Sequence, residues 1–292
     1  MGVNFRHVAA EVRPERDRAD VELGGGSVIP VLMVADRLER RSGLQDRLGP
    51  DVEECHDARG DLLAYCRAEN GALSVDIPDL ASFSYDCGAS HVKAVPHRSL
   101  APRFILDTYY HCVLPLILPA LGTEVLHASA VVGTAGVAAF CGASGTGKST
   151  IAAALAHRGH TIWADDAVAV DMSQPEPTTI LLPFKGSSRM APVQTESATL
   201  RALFVLQRLP DALATVTITR LEAAAACQTT LAHAYCFSVK DQARKRRTIS
   251  NYLTICGQLP VYQIRFSPGL EHLPSLLDAI EEIIGCGSTD SK

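Results

Sequence analysis

The order of apolar and polar residues divides the chain into a strand-rich first third and a mixed remainder. Val28 to Val34 predicts a strand, and Pro30 puts it at a sheet edge or a strand start. Ala35 to Leu48 sets Leu38, Leu44 and Leu48 among many charges. That is a weak helical pattern, punctuated by Gly24-Gly25-Gly26 and by Gly49-Pro50. Asp61 to Arg67 and Ala72 to Ile77 read as strands joined by an Asn70-Gly71 hairpin turn. Ser82 to Tyr85 and His91 to Val95 read as two more around Cys87-Gly88. Together they predict a small antiparallel meander, bounded by the prolines between Val95 and Pro102.

Residues 103–121 place Phe104, Ile105, Tyr109, Val113, Leu114, Ile117 and Leu118 in a helical pattern, with Pro115 and Pro119 marking a kink or boundary. Its most apolar run, Cys112 to Leu121, is too short to span a bilayer. Glu124 to Val132 predicts a strand, Gly133 to Gly136 a turn, and Val137 to Phe140 a second strand. A helix over Ser149 to His157 stops at Gly159. Short strands follow at Thr161 to Ala164 and Val168 to Val170. Gln174 to Thr178 and Pro183 to Pro192 read as loops around the apolar Ile180 to Leu182. Further strands are predicted at Ala202 to Leu206, Thr215 to Thr219 and Val261 to Phe266. Helices are predicted at Leu221 to Cys227, Ala232 to Phe237, Gln242 to Gly257 and Leu273 to Ile284. The expected fold class is α/β (α+β) with a mixed sheet: a small β-rich domain over residues 1–97, then a larger domain over 98–292.

Between the strand at Val137 and the helix at Ser149 lies Gly142-Ala143-Ser144-Gly145-Thr146-Gly147-Lys148-Ser149, followed by Thr150. It fits G-x-x-x-x-G-K-[ST], the phosphate-binding P-loop, in the strand–loop–helix setting that motif needs. The glycines let backbone N–H groups curl around anionic oxygens, and the new helix turns its positive end toward them. Lys148 is placed to reach the β- and γ-phosphates, and the Ser149 hydroxyl to sit on Mg²⁺.

Two more features join the loop. Asp165-Asp166 ends the strand that follows the loop's helix, which brings carboxylates back to the phosphates. One can hold Mg²⁺; the other can take a proton from an attacking hydroxyl. His127, in Leu126-His127-Ala128-Ser129-Ala130, falls on the strand expected beside the one that feeds the loop. There it can hydrogen-bond a phosphate or an aspartate. The basic residues Lys185, Arg189, Lys240, Arg244, Lys245, Arg246 and Arg247 are a further set, from which the sequence selects no phosphate ligand.

Composition narrows the partners without changing the picture. The chain has 292 residues, 47% of them hydrophobic and 20% charged, as in a soluble globular protein. A net charge of −5 gives no reason to expect nucleic acid or an anionic membrane as partner. Nine cysteines without a C-x-x-C pair signal neither zinc nor a disulfide framework, and suit a cytoplasmic protein. Homo-oligomerisation stays open.

The string Leu-His-Ala-Ser-Ala-Val, a short hairpin, the P-loop over 142–150, one helix and Trp163-Ala-Asp-Asp166 resemble the HPr kinase/phosphorylase-like serine kinases in order and spacing. The Arg201–Leu206 and Leu259–Tyr262 segments also sit where that family has strands. The resemblance covers about residues 103–285. It implies a fold like that of phosphoenolpyruvate carboxykinase, ATP and Mg²⁺ as cofactors, and phosphoryl transfer to a serine hydroxyl. It further implies that Gly142 to Thr150 hold the nucleotide, that Asp165 is the base and Asp166, with Ser149, the metal partner, the two aspartates being open to exchange, and that His127 supports them. The early meander resembles that of family members encoded beside lasso-peptide machinery. Pro183 to Met190 departs from the bifunctional enzymes' signature, and Thr150 stands where they carry a glutamate. A peptide or small protein is therefore expected as acceptor in preference to HPr, and the same departures count against the reverse reaction without deciding it. An HPr-type carrier-protein kinase, a small-molecule kinase and a non-catalytic ATP-binding regulator are the alternatives.

Overall fold

The computed structural model describes residues 29–35, 52–56, 62–69, 72–86, 88–182, 197–209, 216–235, 242–267, 269 and 272–285. The chain divides into two compact units, Met1–Ile117 and Leu118–Lys292.

The first unit is a six-stranded sheet of β1 (Val31–Val34), β2 (Val52–His56), β3 (Leu62–Glu69), β4 (Ala72–Ile77), β5 (Ala81–Asp86) and β6 (His91–Pro96), in the order β1-β6-β5-β4-β3-β2. The expected meander is its centre, β3 to β6, and alternation explains it: Ala81, Phe83 and Tyr85 of β5 and Val92 and Ala94 of β6 are buried, their neighbours less so. β1 runs parallel to β6 and makes the sheet mixed. β2 was not legible, because Val-Glu-Glu-Cys-His has no apolar alternation. The helical stretch that follows consists of α1 (Pro102–Thr108), a π-turn (Tyr109–Val113) and α2 (Leu114–Ile117). The sequence pattern set a boundary near residue 97, whereas this stretch stays with the sheet. Tyr109 is fully buried, stacks on Phe83 at 6.5 Å and donates its hydroxyl to the Pro30 carbonyl at 2.5 Å. With the 3₁₀ turn at Leu118–Leu121 the helical run reaches 20 residues, long and apolar enough on those two counts to cross a membrane. Half of its most apolar window is buried in the protein, as in a core helix.

The second unit contains β7 (Thr123–Leu126), β8 (Ala128–Gly133), β9 (Gly136–Cys141), α3 (Lys148–His157), β10 (Thr161–Ala164), β11 (Val168–Asp171), β12 (Thr178–Ile180), β13 (Ser197–Arg208), β14 (Thr217–Arg220), α4 (Ala223–Leu231), α5 (Gln242–Gln258), β15 (Val261–Phe266) and α6 (Leu273–Gly285). The strand order is β10-β8-β9-β13-β12-β11-β7, with β15 also on β13 and β14 beyond it. β8 and β9 form an antiparallel hairpin, and β13 runs parallel to both β9 and β15. The long β13 is the spine. Leu203 and Val205 point into a core shared with Tyr252 and Ile255 of α5, while Phe204 and Leu206 point into one shared with Ile151 and Leu155 of α3 and Leu277 and Ile280 of α6. A strand covered on both faces reads as a continuous apolar run, which is how 202–206 announced itself. Phe140, Phe204 and Tyr262 stack across β9, β13 and β15 at 5.3 and 5.4 Å, fixing the two strands beside the loop-bearing one.

Two expectations are corrected. The strand over 124–132 is two strands, broken at His127, where the chain leaves β7 and enters β8. The helix over 232–237 is absent as far as Tyr235. α4 ends at Leu231, and Ala234 bridges to Leu126, with Tyr235 N–H donating to Val125 at 2.8 Å and His127 N–H to His233 at 2.7 Å. Pairing with β7 satisfies backbone groups that a helix would otherwise have satisfied. The predicted helix over 35–48, the Asn70-Gly71 turn and the 183–192 loop with Lys185 and Arg189 lie outside the described residues, except Ala35 at the helix's start; Lys240 does too.

Candidate functional site

β9 is buried along most of its length and delivers the chain to Gly142 at a fixed point. A Cβ at Gly142 would sit 2.6 Å from the Thr146 hydroxyl and 3.2 Å from Leu206, so only glycine fits. Thr146 closes the loop on itself: its N–H and its hydroxyl both donate to the Ala143 carbonyl, at 3.2 and 2.8 Å. Gly147 has φ +102°, a left-handed turn that starts α3 with no side-chain cap on its first N–H groups. Those donors, and the positive end of the helix, remain for an anion. Lys148 lies almost fully buried and donates to the carbonyls of Gly142 and Ala143 at 2.9 and 3.3 Å. Burial lowers its pKa; Asp166, then Cys141 and Asp165, oppose that.

The carboxylates stand on the β8–β10 side. One Asp165 oxygen accepts hydrogen bonds from Ser149 and from Ser129, each at 2.7 Å, and the two hydroxyls are 3.3 Å apart. Ser129 is fully buried on β8, so this oxygen is held from behind by the sheet. Asp166 has φ +75°, a conformation that costs energy in any residue but glycine and marks a constrained position. The His127 ring lies beside the Asp166 backbone. The Tyr235 hydroxyl lies 3.4 Å from His127 Nδ1, with the rings edge to face at 6.1 Å. Burial and the charge of Lys148 lower the pKa of His127, against the pull of Asp166 and Asp165. Burial, Lys148 and His127 lower that of His233. Both imidazoles are therefore neutral at neutral pH.

The structure thus brings Gly142 to Thr150, His127, Asp165 and Asp166 into one constellation. It adds Ser129, His233 and Tyr235, to which the sequence reading gave no role. Ser129 was within reach of that reading, two residues after His127 on the strand expected beside the loop. His233 and Tyr235 carried no local signal. The basic run is divided: Arg244 is buried, and its charge, with that of Arg247, acts on the buried Glu124. Among the described residues no group of three His, Cys, Asp or Glu side chains can hold a metal unaided. Ser149 and Asp165 offer only oxygen, which suits a hard divalent cation that completes its shell with water or phosphate oxygens.

No family model matches this chain, and no curated protein does. Among solved structures it is similar to the Hpr(Ser) kinase/phosphatase from Coxiella burnetii, with 14% identity over 56% of this chain and 88% of that one, at a TM-score of 0.33. A likeness this loose is a distant structural relationship and carries no argument about the site.

Proposed function

We propose that this chain is an ATP- and Mg²⁺-dependent kinase that transfers the γ-phosphoryl group to a serine hydroxyl of a peptide or small protein. The observation that carries the reading is the hydrogen bond from Ser149, the motif's metal-facing hydroxyl, to Asp165, with Asp166 next in the chain. A phosphate-binding loop alone holds anions; a loop coupled to two carboxylates can also position a cation and accept a proton.

The roles follow from the contacts. Lys148 exchanges loop carbonyls for phosphate oxygens, and the α3 N–H groups hold the rest of the chain of phosphates. Ser149 and Asp165 would hold Mg²⁺, whose charge offsets that of the β- and γ-phosphates. Asp166 accepts the proton of the acceptor hydroxyl. The acceptor oxygen bonds to the γ-phosphorus, the bond from that phosphorus to the β–γ bridging oxygen breaks, and ADP leaves. His127, neutral and beside Asp166, orients the base without competing for its proton. This assignment exchanges the aspartates relative to the family resemblance, because Asp165 is the one already engaged with Ser149.

The test is incubation with labelled ATP, Mg²⁺ and peptides carrying serine, read by mass spectrometry. Phosphoserine that disappears in Lys148→Ala supports the reading. Nucleotide binding with no transfer to any acceptor replaces it with the regulator, and transfer to free metabolites alone replaces it with a small-molecule kinase.

A further inference from the structure

The first unit holds a pair of thiols that the phosphate-binding site does not use. β2 is an edge strand of its sheet and pairs antiparallel with β3. Cys55 on β2 stands opposite Ala64, and Cys66 on β3 stands opposite Glu53, so both thiols face the same side of the sheet. The register shifts between Cys55 and His56. Such an irregularity re-aims a side chain, and the Cys55 Sγ meets the Sγ of Cys66, its diagonal neighbour, at 3.1 Å. A disulfide bond is about 2.05 Å long, so about 1 Å of approach separates the two thiols from one. Cys66 is buried, in register with Val75 of β4 and through it with Phe83 of β5, so the core fixes its position. Cys55 is half-buried at the sheet edge. The contact with Cys66 lowers the pKa of the Cys55 thiol, against burial and the charge of Glu53. The same contact, with burial and Glu53, raises that of Cys66. Cys55 is thus the thiol that ionises first, and it is also the one that solvent reaches.

We propose that Cys55 and Cys66 are a redox pair, closed to a disulfide by hydrogen peroxide and reopened by a dithiol, which pins the edge strand β2 to β3 when closed. The pair lies in the first unit, so it stands whether or not the kinase reading does. The Cys55 thiolate attacks one peroxide oxygen and the O–O bond breaks. Cys55 becomes a sulfenic acid, and the hydroxide that leaves takes up a proton to become water. The Cys66 sulfur then attacks the Cys55 sulfur. The S–O bond breaks, hydroxide leaves with the Cys66 proton as a second water, and the S–S bond forms. Two thiols have lost two electrons and two protons, and one peroxide has become two waters. In the reverse direction a dithiol attacks one sulfur and displaces the other, then closes its own disulfide and frees both cysteines as thiols. Cys141 and Cys256 are inert by contrast. They lie in the core of the second unit, where burial raises their pKa to about 12 and about 11.

The test treats the full chain with hydrogen peroxide, blocks the remaining thiols with an alkylating reagent and digests the product for mass spectrometry. A cross-linked peptide joining the 52–56 and 62–69 segments, two hydrogens lighter than the sum of its parts, is expected, and dithiothreitol should return both thiols. In the closed form the β2 amides should exchange hydrogen at least about tenfold more slowly than in the open form. Cys66→Ser should leave a sulfenic acid on Cys55 that dimedone traps, and Cys112→Ser, at an exposed cysteine outside the pair, should close the bridge as the unaltered protein does. A sulfenic or sulfinic acid on Cys55 of the unaltered protein without the cross-link would overturn the proposal. So would a bridge from Cys55 to a different cysteine, a bridge that dithiothreitol leaves closed, or unchanged exchange at β2. The mapping needs no variant, so it decides the matter even where Cys66→Ser does not fold.

Discussion

On the β8–β10 side of the loop, Ser129, Ser149 and Asp165 meet within hydrogen-bonding distance, and His127 lies beside Asp166. On the β13–β15 side, Phe266, Leu273 and Leu276 line a cavity together with Thr150 and Ile151 of α3. The first flank fixes positions of charge; the second fixes a shape. The difference matters because the two kinds of recognition fail differently. Removing one polar partner leaves another unsatisfied or misplaced and is felt in rate, whereas removing apolar surface lowers affinity in proportion to the area lost.

The contrast is tested most severely at Lys148, which in the proposed function holds the phosphates between the two flanks. Lys148→Ala is expected to lower phosphoryl transfer by about 10³- to 10⁵-fold, the scale of other charge clamps on a transferring phosphoryl group. Circular dichroism should remain unchanged, since the amine donates only to loop carbonyls.

Next come the aspartates. Asp166→Asn should lower kcat by about 10²- to 10⁴-fold with little change in the KM for ATP, as loss of a general base does. Asp165→Asn should instead raise the Mg²⁺ concentration needed for half-maximal rate. Near-normal kcat in Asp166→Asn, with a deep loss in Asp165→Asn that added Mg²⁺ does not relieve, would restore the opposite assignment.

A smaller effect is expected from Ser129→Ala, which removes one of the two hydroxyls on Asp165. A hydrogen bond to a charged group contributes about 1.5–3 kcal/mol, and Ser149 retains the other, so a rate loss of about tenfold is expected. An equal loss in pyrophosphate affinity would place Ser129 in phosphate binding and blur the contrast between flanks.

The smallest effect is on stability. His127 and His233 have pKa values below the ordinary imidazole value of about 6.5. In the pH range just below that value the unfolded chain binds protons that the folded chain refuses. Their contribution to stability is thus complete at higher pH and declines as pH falls through about 6.5. Glu124, held above the usual carboxylate range by burial, contributes with the opposite sign at lower pH. Thermal unfolding followed between pH 7.5 and 5.5 in metal-free buffer should show a decline that is shallower in His233→Asn. An unchanged slope would show that His233 titrates as it does in the unfolded chain.

How much of this was legible depends on how local each signal is. The loop, its strand and its helix could be read because all three lie within about one strand–turn–helix unit, where glycine spacing and apolar runs report directly on backbone geometry. Asp165 and Asp166 could be located because a single helix and a single short strand separate them from Lys148. The break at His127 could not. The residues on both sides of it are apolar and buried, so β7 and β8 look like one strand although they lie at different places in the sheet. β2 was missed for the opposite reason, since its acidic residues hide a strand that its neighbour β3 pairs into place.

By itself, then, the sequence determined that a glycine-rich loop, a lysine, a hydroxyl and a pair of carboxylates come together, because each is set by short-range geometry along the chain. Only the tertiary structure decided which carboxylate the hydroxyl meets, and that Tyr235, 108 residues away from His127, reaches its ring. It alone decided, too, that the ends of β13 and β15 line a cavity on the far side of the loop. Those placements depend on strand order and on parallel pairing across long crossovers, and no local pattern of apolar and polar residues encodes them.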